Sequence, residues 1–246
     1  SAALTAAAGL AVELDAELAG LFVEDINLQH LIGLPFAREF SLLSGAGHPL
    51  SQGEVERTWR REAETLQRLL AEAAEALRLR WSFHVARGRV SAEVNTLAQA
   101  FDLIVLGRRS GVRVTAVSRT TTRLVGRRPG TGPVLVLFDE APASTQSLDL
   151  GVMLARRNGA ELLLLIDAEN ETAYRSGCAV AQTALQTRRT RGRCVWLSGV
   201  NGSNLIQAAR REGAGCLVLP DKERFLRQED LERVLDEIEC PIVLTG

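Results

Sequence analysis

Aromatic residues make up only 4% of this 246-residue sequence, and methionine occurs once. A core with so few rings must be filled by small aliphatic side chains, which suits helices packed on a sheet. No apolar run approaches the roughly 20 residues that a membrane-spanning helix requires. The net charge is only −1, so bulk electrostatics favour neither nucleic acid nor an anionic membrane as a partner.

Cysteine and histidine are also scarce, with four and three residues respectively. The cysteines are Cys178, Cys194, Cys216 and Cys240; they form no Cys-x-x-Cys pair, and no histidine stands at a metal-ligand spacing from them. We therefore expect no metal site and interpret the cysteines as buried, reduced thiols. The start of the sequence has no signal-peptide pattern. These features predict a cytoplasmic protein.

What the sequence does contain is a weak duplication. Residues 4–25 and 148–169 both show a helical apolar pattern followed by a short apolar run, which is the helix-to-strand step of an α/β unit. A second pair, Asp-Leu-Ile-Val-Leu-Gly at 102–107 and Gly-Cys-Leu-Val-Leu-Pro at 215–220, supports the duplication. We predict an α/β fold with mostly parallel sheets, built from repeat 1 (1–132) and repeat 2 (133–246).

The apolar periodicity predicts the elements of each repeat. In repeat 1 we expect a helix at 2–14, a strand at 18–23, an irregular stretch over 24–54, a long helix from 51 or 52 to about 80 that opens with a capping box, a strand at 81–86, a helix at 90–100 and a buried strand at 103–106. In repeat 2 we expect strands at 133–138, 162–166, 193–197, 216–219 and 240–244, and helices from 144, at 171–187, at 201–212 and at 228–237. The sequence of repeat 1 has no counterpart of the first of these strands.

The order of several short segments resembles that of tandem universal stress proteins. The segments are Leu-Phe-Val-Glu-Asp at 21–25, Leu-Pro-Phe-Ala-Arg-Glu at 34–39, the arginine-rich helix after Glu54, Trp-Ser-Phe-His-Val-Ala-Arg-Gly at 81–88, the strand at 102–107, Phe-Asp-Glu-Ala-Pro-Ala-Ser at 138–144, and Cys-Pro-Ile-Val-Leu at 240–244. The resemblance implies two Rossmann-like units of the adenine nucleotide α-hydrolase type. It also implies ATP, or else ADP or AMP, as a ligand of some members.

The resemblance further implies which residues would hold a nucleotide. In the family an Asp after the first strand and a residue after the second hold the adenosine end, and a Gly-x₂-Gly-x₉-Gly-Ser/Thr loop cradles the phosphates through backbone N–H groups. Repeat 1 keeps this spacing but replaces two of the three glycines. The implied ligand-binding residues are Val23, Gly107, Arg108, Arg109, Ser110, Gly111, Thr120, Thr121 and, from repeat 2, Asp139, with Ile166 at the second-strand position. In repeat 2 no glycine follows Pro220 in the corresponding loop.

Three functions remain open from the sequence. The first is a non-catalytic nucleotide-binding module centred on 107–121, where arginines suit phosphate groups. The second is a protein-interaction module whose repeats form an internal pseudo-dimer, with a homodimer as the commonest further assembly. The third is a nucleotide hydrolase that uses Glu24 and Asp25 as a base or metal-binding pair at a strand end.

Overall fold

The computed structural model describes residues 2–26, 38–40, 47–49, 52–89, 92–93, 96, 101, 103–107, 132–139, 142–220 and 231–245. The chain forms two compact units, which we call the smaller unit (Ala7–Leu97) and the larger unit (Ser1–Ala6 with Ala98–Gly246). This division differs from the repeats 1–132 and 133–246. Those repeats describe duplication in the sequence, and their boundary stays a prediction.

Helix α1 (Ala2–Glu13) begins in the larger unit and ends in the smaller one. The smaller unit then contains β1 (Leu18–Asp25), β2 (Arg38–Phe40), β3 (Gly47–Pro49), α2 (Gln52–Ala76) and β4 (Trp81–Gly88). Strands β1 and β4 pair in parallel, with Leu18 opposite Trp81, whereas β2 and β3 form a separate antiparallel pair. The prediction of an irregular stretch over 24–54 was therefore wrong for β2 and β3, because three-residue strands are too short to show an alternating pattern.

Helix α2 packs on the two-stranded sheet of the smaller unit through one face. That face consists of Val55, Trp59, Ala63, Leu70 and Ala74, all of them buried. A Cβ atom at Gly20 of β1 would lie 2.7 Å from Leu70 Cδ2 and 2.8 Å from Phe83 Cδ2, so the helix approaches this strand too closely for any larger residue. The long predicted helix is confirmed, but it ends at Ala76, and Arg78 beyond it takes a left-handed φ of 55°.

The larger unit alternates strands and helices. Its elements are β5 (Leu103–Leu106), β6 (Val134–Phe138), α3 (Pro142–Asn158), β7 (Leu162–Asp167), α4 (Glu171–Thr187), β8 (Arg193–Leu197), α5 (Gly202–Glu212), β9 (Cys216–Leu219), α6 (Leu231–Glu237) and β10 (Ile242–Thr245). These strands form one sheet in the order β5-β10-β9-β6-β7-β8. Every pairing is parallel except that of β10 with β5. The predicted α/β class with mostly parallel sheets is therefore confirmed.

The central strands β6, β7 and β9 are the core of this sheet. Every residue of β6 and β9 is buried, and so are Leu162 to Ile166 in β7. Strands that are covered by helices on both faces need apolar side chains on both faces, which explains these continuous aliphatic runs. The chain leaves β6 toward β7 on one side and reaches β9 on the other, so the strand order reverses at β6. In open α/β sheets, such a reversal marks the place where ligands bind.

Strand β5 differs from its prediction. It lies at the edge of the six-stranded sheet and pairs antiparallel with β10, with Leu106 opposite Ile242 and Leu103 opposite Thr245. Only Leu106 is buried, and the other three residues are half-buried. The prediction of a buried strand was therefore wrong in its burial, because an edge strand has a neighbour on one side only.

Several predicted boundaries of repeat 2 are confirmed to the residue, including those of α4 and β8. Helix α5 begins as predicted, because the Asn201 side chain caps it by accepting a hydrogen bond from the backbone N–H of Asn204 at 2.9 Å. It ends at Gly213, whose left-handed φ of 64° suits glycine. The capping serine at position 51, most of the helix predicted at 90–100 and the segment 228–230 lie outside the described residues.

Candidate functional site

The carboxyl end of β6 presents an acidic side chain at the strand reversal. Asp139 follows the strand directly and is exposed, whereas Ser144, in the first turns of α3, is completely buried. The Ser144 hydroxyl donates a hydrogen bond to Asp139 Oδ1, and Ser144 Oγ accepts one from the backbone N–H of Asp139 at 3.2 Å. These two bonds hold the Asp139 carboxylate at the end of the strand, in a fixed position relative to α3.

A cavity of about 280 Å³ opens beside Asp139. Its walls come from the β6–α3 region and from α4: Phe138, Asp139, Thr145, Leu148, Val180, Ala184 and Arg188. Arg188 is held in place, since its Nε donates to Asp149 Oδ1 at 2.5 Å and its Nη1 donates to the Ala184 carbonyl at 3.0 Å. The cavity thus combines one exposed carboxylate with an apolar wall and a cation that already has a carboxylate partner. Such a lining suits a neutral, hydroxyl-bearing group better than a polyanion.

The neighbouring strand ends carry a second carboxylate that the sequence analysis overlooked. Asp167, the last residue of β7, accepts a hydrogen bond through Oδ1 from the backbone N–H of Gly199 at 2.8 Å. Gly199 has a φ of 98°, a conformation that favours glycine. Asn204 of α5 completes the loop by donating to the carbonyls of Ser198 and Gly199 at 2.7 and 3.0 Å. The signal in the sequence was an aspartate directly after the predicted strand 162–166, a position that Asp139 shares after its own strand.

The structure describes three of the nine ligand-binding residues that the resemblance implied. Asp139 lies at the end of its strand, as expected. Val23 lies within β1, buried, two residues before the strand ends, and it belongs to the smaller unit. Arg108, Arg109, Ser110, Gly111, Thr120 and Thr121 lie outside the described residues.

Gly107 follows β5 and is exposed. A Cβ atom at this position would collide with Cβ of Ala3 in α1, within the same unit. Close packing on α1 therefore gives a reason for glycine at 107 that does not involve a phosphate group. Ile166, which the resemblance placed at the second-strand position of repeat 2, packs against α4. A Cβ at Gly177 of that helix would lie 2.6 Å from Ile166 Cγ2.

Of the two carboxylates at the end of β1, Glu24 has an ordinary structural partner. Glu24 forms an ion pair with Arg87 on the neighbouring strand at 2.8 Å. Within the described ranges, no group of three or more His, Cys, Asp or Glu side chains could hold a metal ion. No helix among those residues combines the length and apolar character needed to cross a bilayer.

The four cysteines divide into two kinds. All are free; Cys216 and Cys240 are buried, whereas Cys178 and Cys194 are half-buried. Burial raises the pKa of Cys216, and it raises the pKa of Cys240 to about 12, so both are protonated at neutral pH. The prediction of buried thiols is confirmed for these two and was wrong for Cys194, because β8 is the outer strand of the sheet.

Comparison with solved structures shows which known fold this chain shares. No protein-family model matches the sequence, and no curated protein matches it. Among solved structures, a universal stress protein from Archaeoglobus fulgidus DSM 4304 matches with a TM-score of 0.53 and 11% sequence identity, over 99% of this chain and 93% of that chain. A universal stress protein family member from Burkholderia pseudomallei matches 48% of this chain and 98% of its own, with 21% identity and a TM-score of 0.37.

A third match is a universal stress protein solved in complex with cAMP, with 14% identity, a TM-score of 0.37, and coverage of 47% of this chain and 98% of that chain. We draw no inference from the two half-chain matches, because their TM-scores are low. The Archaeoglobus match spans nearly the whole of both chains. The protein therefore has the fold of a universal stress protein.

Proposed function

We propose that this chain is a non-catalytic, cytoplasmic stress-response protein that binds an adenine nucleotide (ATP, ADP or AMP) as a regulatory ligand. The observation that carries the proposal is the position of Asp139, fixed by Ser144 at the carboxyl end of β6, where the strand order reverses. A carboxylate at this place can accept hydrogen bonds from ribose hydroxyls. The adjoining cavity offers an apolar wall to the same end of the nucleotide.

The two repeats differ in the loop that would hold the phosphate end of the ligand. Repeat 1 keeps Gly107 and the threonines at 120 and 121, whereas the loop after β9 in repeat 2 has no glycine. A loop without glycine cannot bring its backbone N–H groups as close to phosphate. The loop sequence therefore supports a site in repeat 1, whereas the position of Asp139 supports one in repeat 2, and the variants below distinguish the two.

Isothermal titration of the full chain with ATP, ADP and AMP tests this proposal. Three variants divide the possibilities: the Thr120→Ala/Thr121→Ala double variant removes hydroxyls from repeat 1, Asp139→Asn removes the charge from repeat 2, and Glu171→Gln is a matched control on the exposed part of α4. Asp139→Asn should fold, because the amide oxygen can still accept the bond from Ser144. Heat lost only in the double variant places the ligand in repeat 1, and heat lost only in Asp139→Asn places it in repeat 2.

Wild-type protein that gives no saturable heat at millimolar nucleotide would refute the proposal. It would favour the second candidate, a protein-interaction module, which the antiparallel pairing of β5 with β10 supports. This pairing joins a strand of repeat 1 to the last strand of repeat 2, as an internal pseudo-dimer requires. Self-association measured by light scattering should then be the same in the Thr120/Thr121 double variant as in the wild type; a loss of association in that variant would count against this candidate.

The third candidate, a nucleotide hydrolase, rests on the Glu24 and Asp25 pair. The ion pair between Glu24 and Arg87 favours a structural role for this strand end. Steady ATP turnover that Asp25→Asn abolishes would establish hydrolysis and overturn the non-catalytic proposal.

A further inference from the structure

Helix α4 is held on strand β8 by two stacked rings. Tyr174 of α4 and Trp196 of β8 lie with their ring centroids 5.2 Å apart and their planes only 8° from parallel. The indole N–H of Trp196 donates to the Ala168 carbonyl at 2.7 Å, which fixes the orientation of the indole. This stacked pair therefore sets the register between the helix and the strand.

This register places Cys178 of α4 over Cys194 of β8. Cys178 stands one helical turn after Tyr174, on the same face of α4. Cys194 stands two residues before Trp196, on the same face of β8. Because α4 connects two parallel strands, it runs antiparallel to them, so one turn forward along the helix corresponds to two residues backward along the strand. The electrostatics agree with this placement, because hydrogen bonding to Cys178 helps to raise the pKa of both Tyr174 and Cys194.

Close packing holds α4 against the sheet beside Cys178. A Cβ at Gly177, the residue before Cys178, would come within 2.6 Å of Ile166 Cγ2 on β7, so α4 lies tight on the sheet at this turn. In the sheet, Ile166 pairs with Trp196 and Leu164 pairs with Cys194. Both cysteines therefore lie within regular secondary structure, Cys178 in α4 and Cys194 in β8.

The pair also differs from the other two cysteines in burial. Cys178 and Cys194 are half-buried, whereas Cys216 and Cys240 are buried. Burial and the neighbouring Cys178 raise the pKa of Cys194 to about 12, and burial raises the pKa of Tyr174 to about 12. The Tyr174 hydroxyl therefore stays protonated at neutral pH and can donate toward the sulfur of Cys178, and Cys194 stays a thiol until the pair meets an oxidant.

We propose that Cys178 and Cys194 form an oxidisable dithiol that closes to an intramolecular disulfide when the protein meets a peroxide. The Cys178 sulfur attacks one oxygen of hydrogen peroxide and the O–O bond breaks; the departing hydroxide takes the thiol proton, so the products are a sulfenic acid on Cys178 and water. The Cys194 sulfur then attacks the Cys178 sulfur. The sulfenic hydroxyl leaves with the Cys194 proton as a second water, so two thiols are oxidised and one peroxide is reduced.

Closure would tie α4 covalently to β8. Helix α4 also supplies Val180, Ala184 and Arg188 to the wall of the cavity beside Asp139. The disulfide would therefore restrain the helix that forms this wall, although neither cysteine lines the cavity. The inference does not depend on whether that cavity binds a nucleotide.

Peptide mapping after oxidation tests the proposal on the folded, full-length chain. The protein is treated with hydrogen peroxide, remaining thiols are alkylated, and the chain is digested with trypsin without reduction. Cleavage after arginine and lysine places the four cysteines in four different peptides, namely 176–188, 194–210, 212–222 and 234–246. We expect a linked species of 176–188 with 194–210 that is lost on reduction, the loss of two of the four titratable thiols, and no covalent dimer on a non-reducing gel.

The Cys178→Ser/Cys194→Ser double variant is the matched control, since it keeps the buried cysteines and should retain all its remaining thiols under the same treatment. Recovery of 176–188 and 194–210 as separate, singly alkylated or over-oxidised peptides would overturn the proposal. A link from either peptide to 212–222 or 234–246, or between two chains, would overturn it equally. Circular dichroism before digestion confirms that the oxidised protein is folded, so that none of these results can come from an unfolded chain.

Discussion

Replacing Gly151 by alanine sets two effects of opposite sign against each other. Gly151 is a buried residue within α3, where alanine is favoured over glycine by about 1 kcal/mol. However, a Cβ at this position would collide with Cγ2 of Val136 and would lie 3.5 Å from Leu162 Cδ1. Val136 is β-branched, completely buried and in the centre of the sheet, so it has neither another rotamer nor free space to use.

The collision should outweigh the helix propensity. Overpacking by one carbon in a tight core costs about 1–3 kcal/mol. The helix gain offsets about 1 kcal/mol of it, so we expect Gly151→Ala to reduce the free energy of unfolding by about 1 kcal/mol net. For a unit of this size, that corresponds to a fall in Tm of roughly 2–4 °C.

Urea denaturation followed by circular dichroism measures the change, and a double-variant cycle tests its cause. In a Val136→Ala background the collision is removed, so Gly151→Ala should become stabilising by about 1 kcal/mol. Gly53→Ala in α2 is the control, because nothing lies within 4 Å of a Cβ there. A Gly151→Ala protein more stable than the wild type, or an effect of the same sign in both backgrounds, would refute the reasoning.

Three further predictions concern the core, a helix cap and the pH dependence of stability. Leu164→Ala should cost about 3 kcal/mol in denaturant unfolding, because the side chain is completely buried in β7, whereas Leu66→Ala on the exposed side of α2 should cost less than about 1 kcal/mol. Asn201→Ala should lower the Tm through a loss of about 1 kcal/mol, and Asn201→Asp should restore most of it. The bond from Arg193 to Glu212 at 2.7 Å lowers the pKa of Glu212 from its ordinary value of 4.5. The ionised carboxylate therefore stabilises the fold above that ordinary value, and the stabilisation is lost as the pH falls through the lowered pKa. Glu212→Gln should be less stable than the wild type at pH 7, and the difference should vanish in acid.

The sequence was most informative where apolar runs are long and covered on both sides. The boundaries of β9 follow directly from such a pattern. In α2 the pattern was ambiguous, because the helix carries apolar residues on two faces. Leu66 and Leu69 kept the helical spacing as well as Leu70 did, yet only Leu70 is buried. Periodicity identifies apolar faces but does not determine which face meets the sheet.

What the sequence could not provide are contacts between distant segments. The antiparallel pairing of β5 with β10 joins residues more than a hundred positions apart, and nothing in either strand encodes its partner. The same holds for the candidate sites. Asp139 was identified through the family resemblance, but its bond to Ser144 and the proximity of Cys178 to Cys194 depend on how α3 and α4 lie on the sheet.

The pairing of β5 with β10 has a practical consequence for dividing the chain. Strand β10 is buried at every residue, and β5 covers the side of it that faces away from β9. A fragment cut at the repeat boundary, beginning at Pro133, would keep β10 but lose this cover. The fragment would then present an uncovered, flat and apolar row of N–H and C=O groups, a template for adding strands from other chains. Expressed alone, repeat 2 should aggregate or pair with another copy through β10, and a fragment that retains residues 98–131 should not.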